Sequence, residues 1–414
     1  MEVVERDMNE QKSKGDLMVN NLIYQQPKAL SLVVNRTLKK QYFQKSTYSP
    51  VETAVVDWNT GSDYVSIDDS YLLLDITSVG GDAHFGSGSI LNCIERIVIT
   101  SRSGTELDRL ERANIINKQM MRFGHSQDWI LTSGSKMGMG TNGLGSDGTV
   151  LTAGVSRRHI IPLKYLCGFF RPVNNQMIPP SLAAGLRIEI TFADYRNALF
   201  QKSATVTNYT VDKIEFSTDC VTLADDTQKS LNDEASKSGL EYTYPRFYTS
   251  SSTVLSTAVN LQIRKAVSMA KTVHTYLITQ SSLTDVTADS QASAALDMQE
   301  WGYRLGGLHF PNQKISGDVQ HLQTYQIAES TWERSGDHKP PGVGWSIFQS
   351  TNGELSASLE RDTKLNLSGL PLNNSRVLEL DAKLNAYTVP LEAVSFLQYV
   401  CVCRSYLDNT VVAL

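Results

Sequence analysis

The chain has 414 residues, 41% of them hydrophobic and 20% charged, with a formal net charge of −5. That length holds two domains of ordinary size, and the mild acidity argues against a nucleic-acid binder, whose footprint is usually basic. Five cysteines (Cys93, Cys167, Cys220, Cys401 and Cys403) make an odd number in a long chain, which argues against a disulfide framework and for a reducing compartment. No apolar run reaches the length of a transmembrane helix.

Residues 1–28 are polar, with five acids and four bases, and read as an arm and not as a signal or transit peptide. Residues 36–45 (RTLKKQYFQK) are basic with no acid and extend that arm. Short β-rich runs follow at 52–58 and 70–76, bounded by Gly, Ser, Asp and Asn. Residues 89–100 alternate as a strand does. The spacing of Leu107, Leu110, Ala113, Ile116 and Met120 predicts one amphipathic helix over 107–123. Residues 133–154 are Gly-rich and read as a loop. Residues 160–170 suit a short helix starting at Pro162, and 185–193 and 209–223 alternate again.

The polar, charged stretch 224–239 breaks this pattern and marks a boundary, with room for a helical turn or two. Strand signals resume at 240–248, 258–265, 271–279 and 301–310. A second helix is predicted over 318–333, with Leu322, Tyr325, Ala328 and Trp332 on one face. The chain closes with strand signals at 354–360, 376–386 and 392–407. The halves repeat one order. Each has a strand with a central Arg (Arg96, Arg304), then a helix, a loop, an Arg-led strand (Arg187, Arg376) and a long closing strand. Offsets of about 183 to 211 residues fit a diverged duplication more than a strict repeat. The expected organisation is an arm over 1–45, a first domain over 46–225, a linker over 226–238 and a second domain over 239–414.

Motifs that could carry chemistry are weak. Gly138-Met139-Gly140-Thr141-Asn142-Gly143 matches G-x-G-x-x-G, but no helix pattern follows it, so a loop is the better reading. The seven histidines are dispersed, without the spacing of a helical metal pair. Cys401 and Cys403 would share one strand face and read as core thiols. Asp68-Asp69 and Asp225-Asp226 are turn-like neighbours, whereas acid/base pairs face each other across a cleft. No G-x-S-x-G elbow is present. Catalytic, cofactor and metal residues are therefore all expected to be absent. Arg157-Arg158-His159 reads as a solvated face. An arm balanced in charge is a poor candidate for neutralising a genome.

Several stretches look like one family. Residues 160–170 (IIPLKYLCGFF) resemble the PL-x-x-L-x-G-F segment of virophage, Polinton-like and adintovirus hexon-type capsid proteins. The run 211–223 leading into 239–248 (GLEYTYPRFY) resembles their junction between domains. Residues 301–311 (WGYRLGGLHFP) with the 318–333 helix, and 392–407 followed by Asp408-Asn409, resemble their second domain and closing strand. The resemblance spans about 50–414. It implies an all-β fold of two tandem eight-stranded jelly rolls with short inserted helices. It also implies a major capsid protein of a DNA virus, located in the virion, whose homotrimers form pseudo-hexagonal capsomers.

The partners so implied are further copies of the chain, neighbouring capsomers, penton or minor capsid proteins and an internal membrane, with genome contact weak or indirect. No cofactor is implied. For an assembly surface the candidates are Arg36, Lys39, Lys40 and Lys45 in the basic segment, and Trp129, Trp345 and Phe348 in or beside loops. For the three aromatics, capping their own domain stays open. Competing readings are a single-jelly-roll capsid protein with a projection domain, a carbohydrate-binding β-sandwich, and a hydrolase on a β scaffold.

Overall fold

A computed structural model describes residues 32–140, 150–201, 205–294, 298–316, 320–332, 344–345, 348, 351–360, 369–373, 377–385 and 389–413. The remaining residues include most of the expected arm, Thr141 to Gly143 of the glycine motif, and Arg376.

The first half folds into eight principal strands: β1 (Val33–Tyr42), β2 (Thr53–Trp58), β3 (Tyr64–Val79), β4 (Ile94–Thr100), β5 (Glu106–Glu111), β6 (Arg157–Pro162), β7 (Leu186–Phe192) and β8 (Asn208–Leu223). They form two sheets in the orders β1-β8-β3-β6 and β2-β7-β4-β5. The second half supplies β9 (Leu240–Val254), β10 (Ala258–Ile263), β11 (Val267–Thr279), β12 (Met298–Leu305), β13 (Leu308–Ser316), β14 (Leu355–Ser358), β15 (Leu378–Leu384) and β16 (Leu391–Ser405). Their orders are β9-β16-β11-β14 and β10-β15-β12-β13. Position for position the two topologies are the same, and each is a jelly roll. Two complete rolls set aside the reading of one roll with a projection domain.

Alternation builds each sandwich. In β7, Leu186, Ile188, Ile190 and Phe192 are buried while Arg187, Glu189 and Thr191 lie on the other face. Leu378, Leu380, Ala382 and Leu384 repeat this in β15. The first interior centres on Trp58, stacked on Phe216 at 5.5 Å between ring centroids. The second holds Trp301 and Tyr303. Trp301 Nε1 donates to Thr324 Oγ1 at 2.9 Å, and the Tyr303 hydroxyl donates to the Leu355 carbonyl at 2.8 Å. A two-residue turn, Gly306-Gly307, joins β12 to β13, with Gly306 at φ 59°, the backbone such hairpins need.

Four helices matter below: α1 (Ala113–Gly124), α2 (Gln127–Thr132), α3 (Asp225–Lys237) and α4 (Gln320–Trp332). Three expectations change here. The predicted helix over 107–123 is a strand up to Glu111 and a helix only from Ala113, with Arg112 turning the chain at φ 53°. Strand β5 is covered on both faces, by its own sandwich and by the second roll, so its apolar residues need not alternate and mimic helical spacing. Residues 33–42, assigned to the arm on charge, are strand β1 of the first roll. On α4 the buried side chains are Thr324, Ala328, Thr331 and Trp332, while Leu322 faces outward. The stretch expected to hold a turn or two between the halves is α3, polar except for Leu231 and buried Ala235.

The rolls meet along a tightly packed seam. The core of the first roll runs without a break into Tyr242, Tyr244, Cys401 and Cys403 of the second. The Tyr242 hydroxyl donates to the Phe169 carbonyl at 2.7 Å, and the Tyr244 hydroxyl to the Leu107 carbonyl at 2.6 Å. Arg112 bonds Glu392 at 2.9 Å. At the tightest point a Cβ added to Gly168 would lie 1.7 Å from the Pro245 carbonyl oxygen. A clash with backbone cannot be relieved by rotating a side chain. Gly168→Ala is therefore expected to destabilise by about 3 kcal/mol or more, in the range of severe core strain. Thermal unfolding checks this; a midpoint within 2 °C of wild type would show that the seam is loose.

Candidate assembly surface

The outer face of sheet β1-β8-β3-β6 carries two of the four basic candidates, Arg36 and Lys40. Alternation puts Arg36, Leu38, Lys40 and Tyr42 of β1 on one side, opposite Val221, Asp219, Ser217 and Glu215 of β8. Arg36 binds Asp219 and reaches Asp69 at 3.1 Å. Lys40 Nζ lies 3.1 Å from Glu215. Arg158 of β6 bridges Glu215 at 2.6 Å and Asp75 at 2.9 Å, and Lys213 approaches Asp75 at 3.5 Å. Two further bases of the segment are also paired: Lys39 with Asp63 at 2.6 Å and Lys45 with Glu52 at 3.5 Å. The Lys39 ammonium holds the Asp63 carboxyl below the usual carboxylate range, and Asp63 in turn raises Lys39.

The basic segment is therefore neutralised by its own roll. Its charges were legible in the sequence; their partners, 24 or more residues downstream in all cases but Lys45, were not. Between them stand apolar side chains that the charge reading passed over. Val34, Leu38 and Tyr42 are 68%, 66% and 68% exposed, and Ile160 is exposed on β6.

The aromatic candidates divide. Phe348 is fully buried and packs on Phe123 of α1 and on Tyr325. It closes the seam from within the chain, which corrects its assignment to an outward surface. Trp345 is half-buried against Tyr325 and Phe348. Trp129, on α2, is half-buried and stacks on His125 at 3.7 Å.

Strand alternation splits the Arg157-Arg158-His159 cluster. Arg157 and Arg158 are exposed; His159 turns inward and is buried. Its Nδ1 pairs with the Lys136 carbonyl at 3.2 Å, and burial pushes its pKa down to about 4. Gly138 takes φ 78° beneath the Phe85 ring, closing the short turn Gly134–Met137; the motif beyond Gly140 lies outside the described residues. All five cysteines are buried free thiols; burial pushes Cys403 up to about 12. Among the described residues no group of three His, Cys, Asp or Glu side chains could hold a metal.

No protein-family model matches this chain, and no curated protein matches it by sequence. Solved structures do match its fold. The Faustovirus major capsid protein superposes with a TM-score of 0.66 at 9% identity, over 96% of this chain and 96% of that one. A chain of the Sputnik virophage particle gives 0.61 at 12% identity, over 97% and 92%. The mavirus major capsid protein gives 0.53 at 9%, over 97% and 94%. The double jelly roll is thus shared along nearly the whole of each chain.

Two outcomes are expected for this face. Arg158→Ala leaves Asp75 to Lys213 and Glu215 to Lys40, with side chains only 10% and 9% exposed, and should cost about 1 kcal/mol, whereas Lys45→Ala, an exposed pair, should cost less than about 0.5 kcal/mol. Equal losses in urea unfolding would contradict this. His159 stays neutral in the folded chain down to about pH 4, while the unfolded chain takes up a proton near pH 6.5. Stability must therefore fall as pH drops from about 6.5 to 4, by roughly 3 kcal/mol, and level off below. The stability gap between wild type and His159→Gln, measured at pH 7 and pH 4, should narrow by that amount; a constant gap would mean the ring titrates normally.

Proposed function

We propose that this chain is a major capsid protein, three copies of which close a ring of six jelly rolls that serves as the capsomer of an icosahedral DNA-virus shell. The observation that carries the reading is the fold itself: two rolls of one topology, locked side by side, shared end to end with the Faustovirus, Sputnik and mavirus capsid structures. Because the seam is tightly packed, each chain delivers two rolls at one fixed angle, as a closed ring requires. Assembly is then the function, and interfaces take the place of an active site.

Trp129 and Trp345 remain candidates for contacts between capsomers, since each keeps part of its ring exposed. Contacts of residues 1–31 with penton or minor capsid proteins, or with an internal membrane, belong to the same proposal. Neutralisation of Arg36, Lys39, Lys40 and Lys45 by carboxylates of their own roll supports weak or indirect genome contact. A carbohydrate-binding sandwich gains little support, because Tyr42 is the one strongly exposed aromatic among the described residues.

Light scattering of the purified protein should give three times the 45.8 kDa chain mass, and negative-stain images should show particles of hexagonal outline. A protein that stays at one chain mass at micromolar concentration, in dilute and concentrated salt alike, would overturn the reading.

A further inference from the structure

Inside the chain, the first strand of the second roll, β9, lies along the fifth strand of the first roll, β5, and along the 168–175 segment beside it. This buries Tyr242 and Tyr244 on one side and Leu107 and Asp108 on the other. The topological counterparts of these two strands are left open. Strand β1, the counterpart of β9, is exposed along most of its length. Strand β13, the counterpart of β5, is also largely exposed, with Leu308 45% accessible. Next to β13 lies a groove of about 500 Å³, lined by Leu308, Phe310 and Pro311, by Ile327 of α4 and by Ala357 of β14.

We infer that β1 of one copy docks on β13 and this groove in a second copy, with Leu38 and Tyr42 entering it. The inference deepens the capsomer reading and rests on it. A second copy is the occupant because the chain already contains the same strand-to-strand pairing once, and leaves one unmatched half of it on each roll. Leu38 and Tyr42 supply exposed apolar surface on the outer face of β1. The ion pairs around them are closed within their own roll, so docking need not strip an unpaired charge of water.

The test mixes two separately purified single variants, Leu38→Cys and Leu308→Cys, with a short bismaleimide. The native thiols are buried and should stay unlabelled. A cross-linked species of two chains is expected from the mixture, and none from Leu38→Cys mixed with Val150→Cys, an exposed position elsewhere. Leu38→Asp, on an exposed strand, should keep the wild-type melting temperature and raise the concentration for half-association at least tenfold. Should that variant unfold, the cross-link decides alone. Wild-type protein at three chain masses, with no cross-link, would overturn the docking and leave the capsomer reading standing. Wild-type protein at one chain mass would overturn both.

Discussion

The contact between Gly168 and the Pro245 carbonyl sets the geometry of the whole molecule. With no room for even a methyl group at that point, the backbone of the 168–175 segment and strand β9 approach as closely as two chains can. Everything around the contact follows from that approach. Buried peptide groups pressed together must find hydrogen-bond partners. The Tyr242 and Tyr244 hydroxyls provide two of them, reaching across to the carbonyls of Phe169 and Leu107. Phe169 N–H donates to Asp108 at 2.9 Å, and Arg246 sits 3.4 Å from the same carboxylate. Burial raises Asp108 against the opposing pull of Arg246. Contacts of this kind, spread along the seam, favour one arrangement of the two rolls.

A second polar cluster continues the seam at the level of the helices. Lys118 of α1 is fully buried and reaches the Gln291 and Thr351 carbonyls of the second roll; burial pushes its pKa down to about 8. Glu354 accepts from Trp332 Nε1 at 2.7 Å and from Ser356 at 2.5 Å, with Tyr276 on its other oxygen and His274 at 3.4 Å. Phe123 of the first roll stacks on Trp332 of the second. Such a network adds little net stability over an apolar filling, but removing one member leaves the others buried and unmatched. Its effect is to penalise any other register between the rolls.

Much of this was legible in the sequence, and the residues show why. The PL-x-x-L-x-G-F run ending in Gly168-Phe169 and the GLEYTYPRFY run around Pro245 were recognisable as separate motifs; in the structure they are the two sides of one contact. Alternation marked β7 because one of its faces lies in a sandwich interior and the other outside it. It failed at β5, where Leu107, Asp108 and Leu110 are all buried, because tertiary cover on both faces erases the period of two. It failed again at β1, where an exposed edge strand carries charges on its face and reads as a solvated arm. The partners of those charges are residues such as Asp219 and Glu215, some 180 positions away, and no local pattern points to them. Phe348 looked like a loop aromatic for the same reason: its neighbours Phe123 and Tyr325 come from two other elements.

The two rolls share a topology but not an environment, and that asymmetry carries the argument for assembly. Exposed sheet edges and apolar strand faces invite pairing, and stable proteins cover them. Here the second roll's leading strand is covered by the first roll, while the first roll's leading strand is exposed along most of its length among the described residues. The fifth strands show the reverse. A contact that joins one kind of surface to a different kind is heterologous: it propagates until the rotation between units closes a ring. In the assembly proposed, the rotation is built into each chain by the Gly168 seam, so that ring closure depends on a contact buried far from any subunit boundary. The rigidity of the seam and the openness of β1 are then two requirements of one design, because an external copy of the seam can form only if the internal one holds its angle.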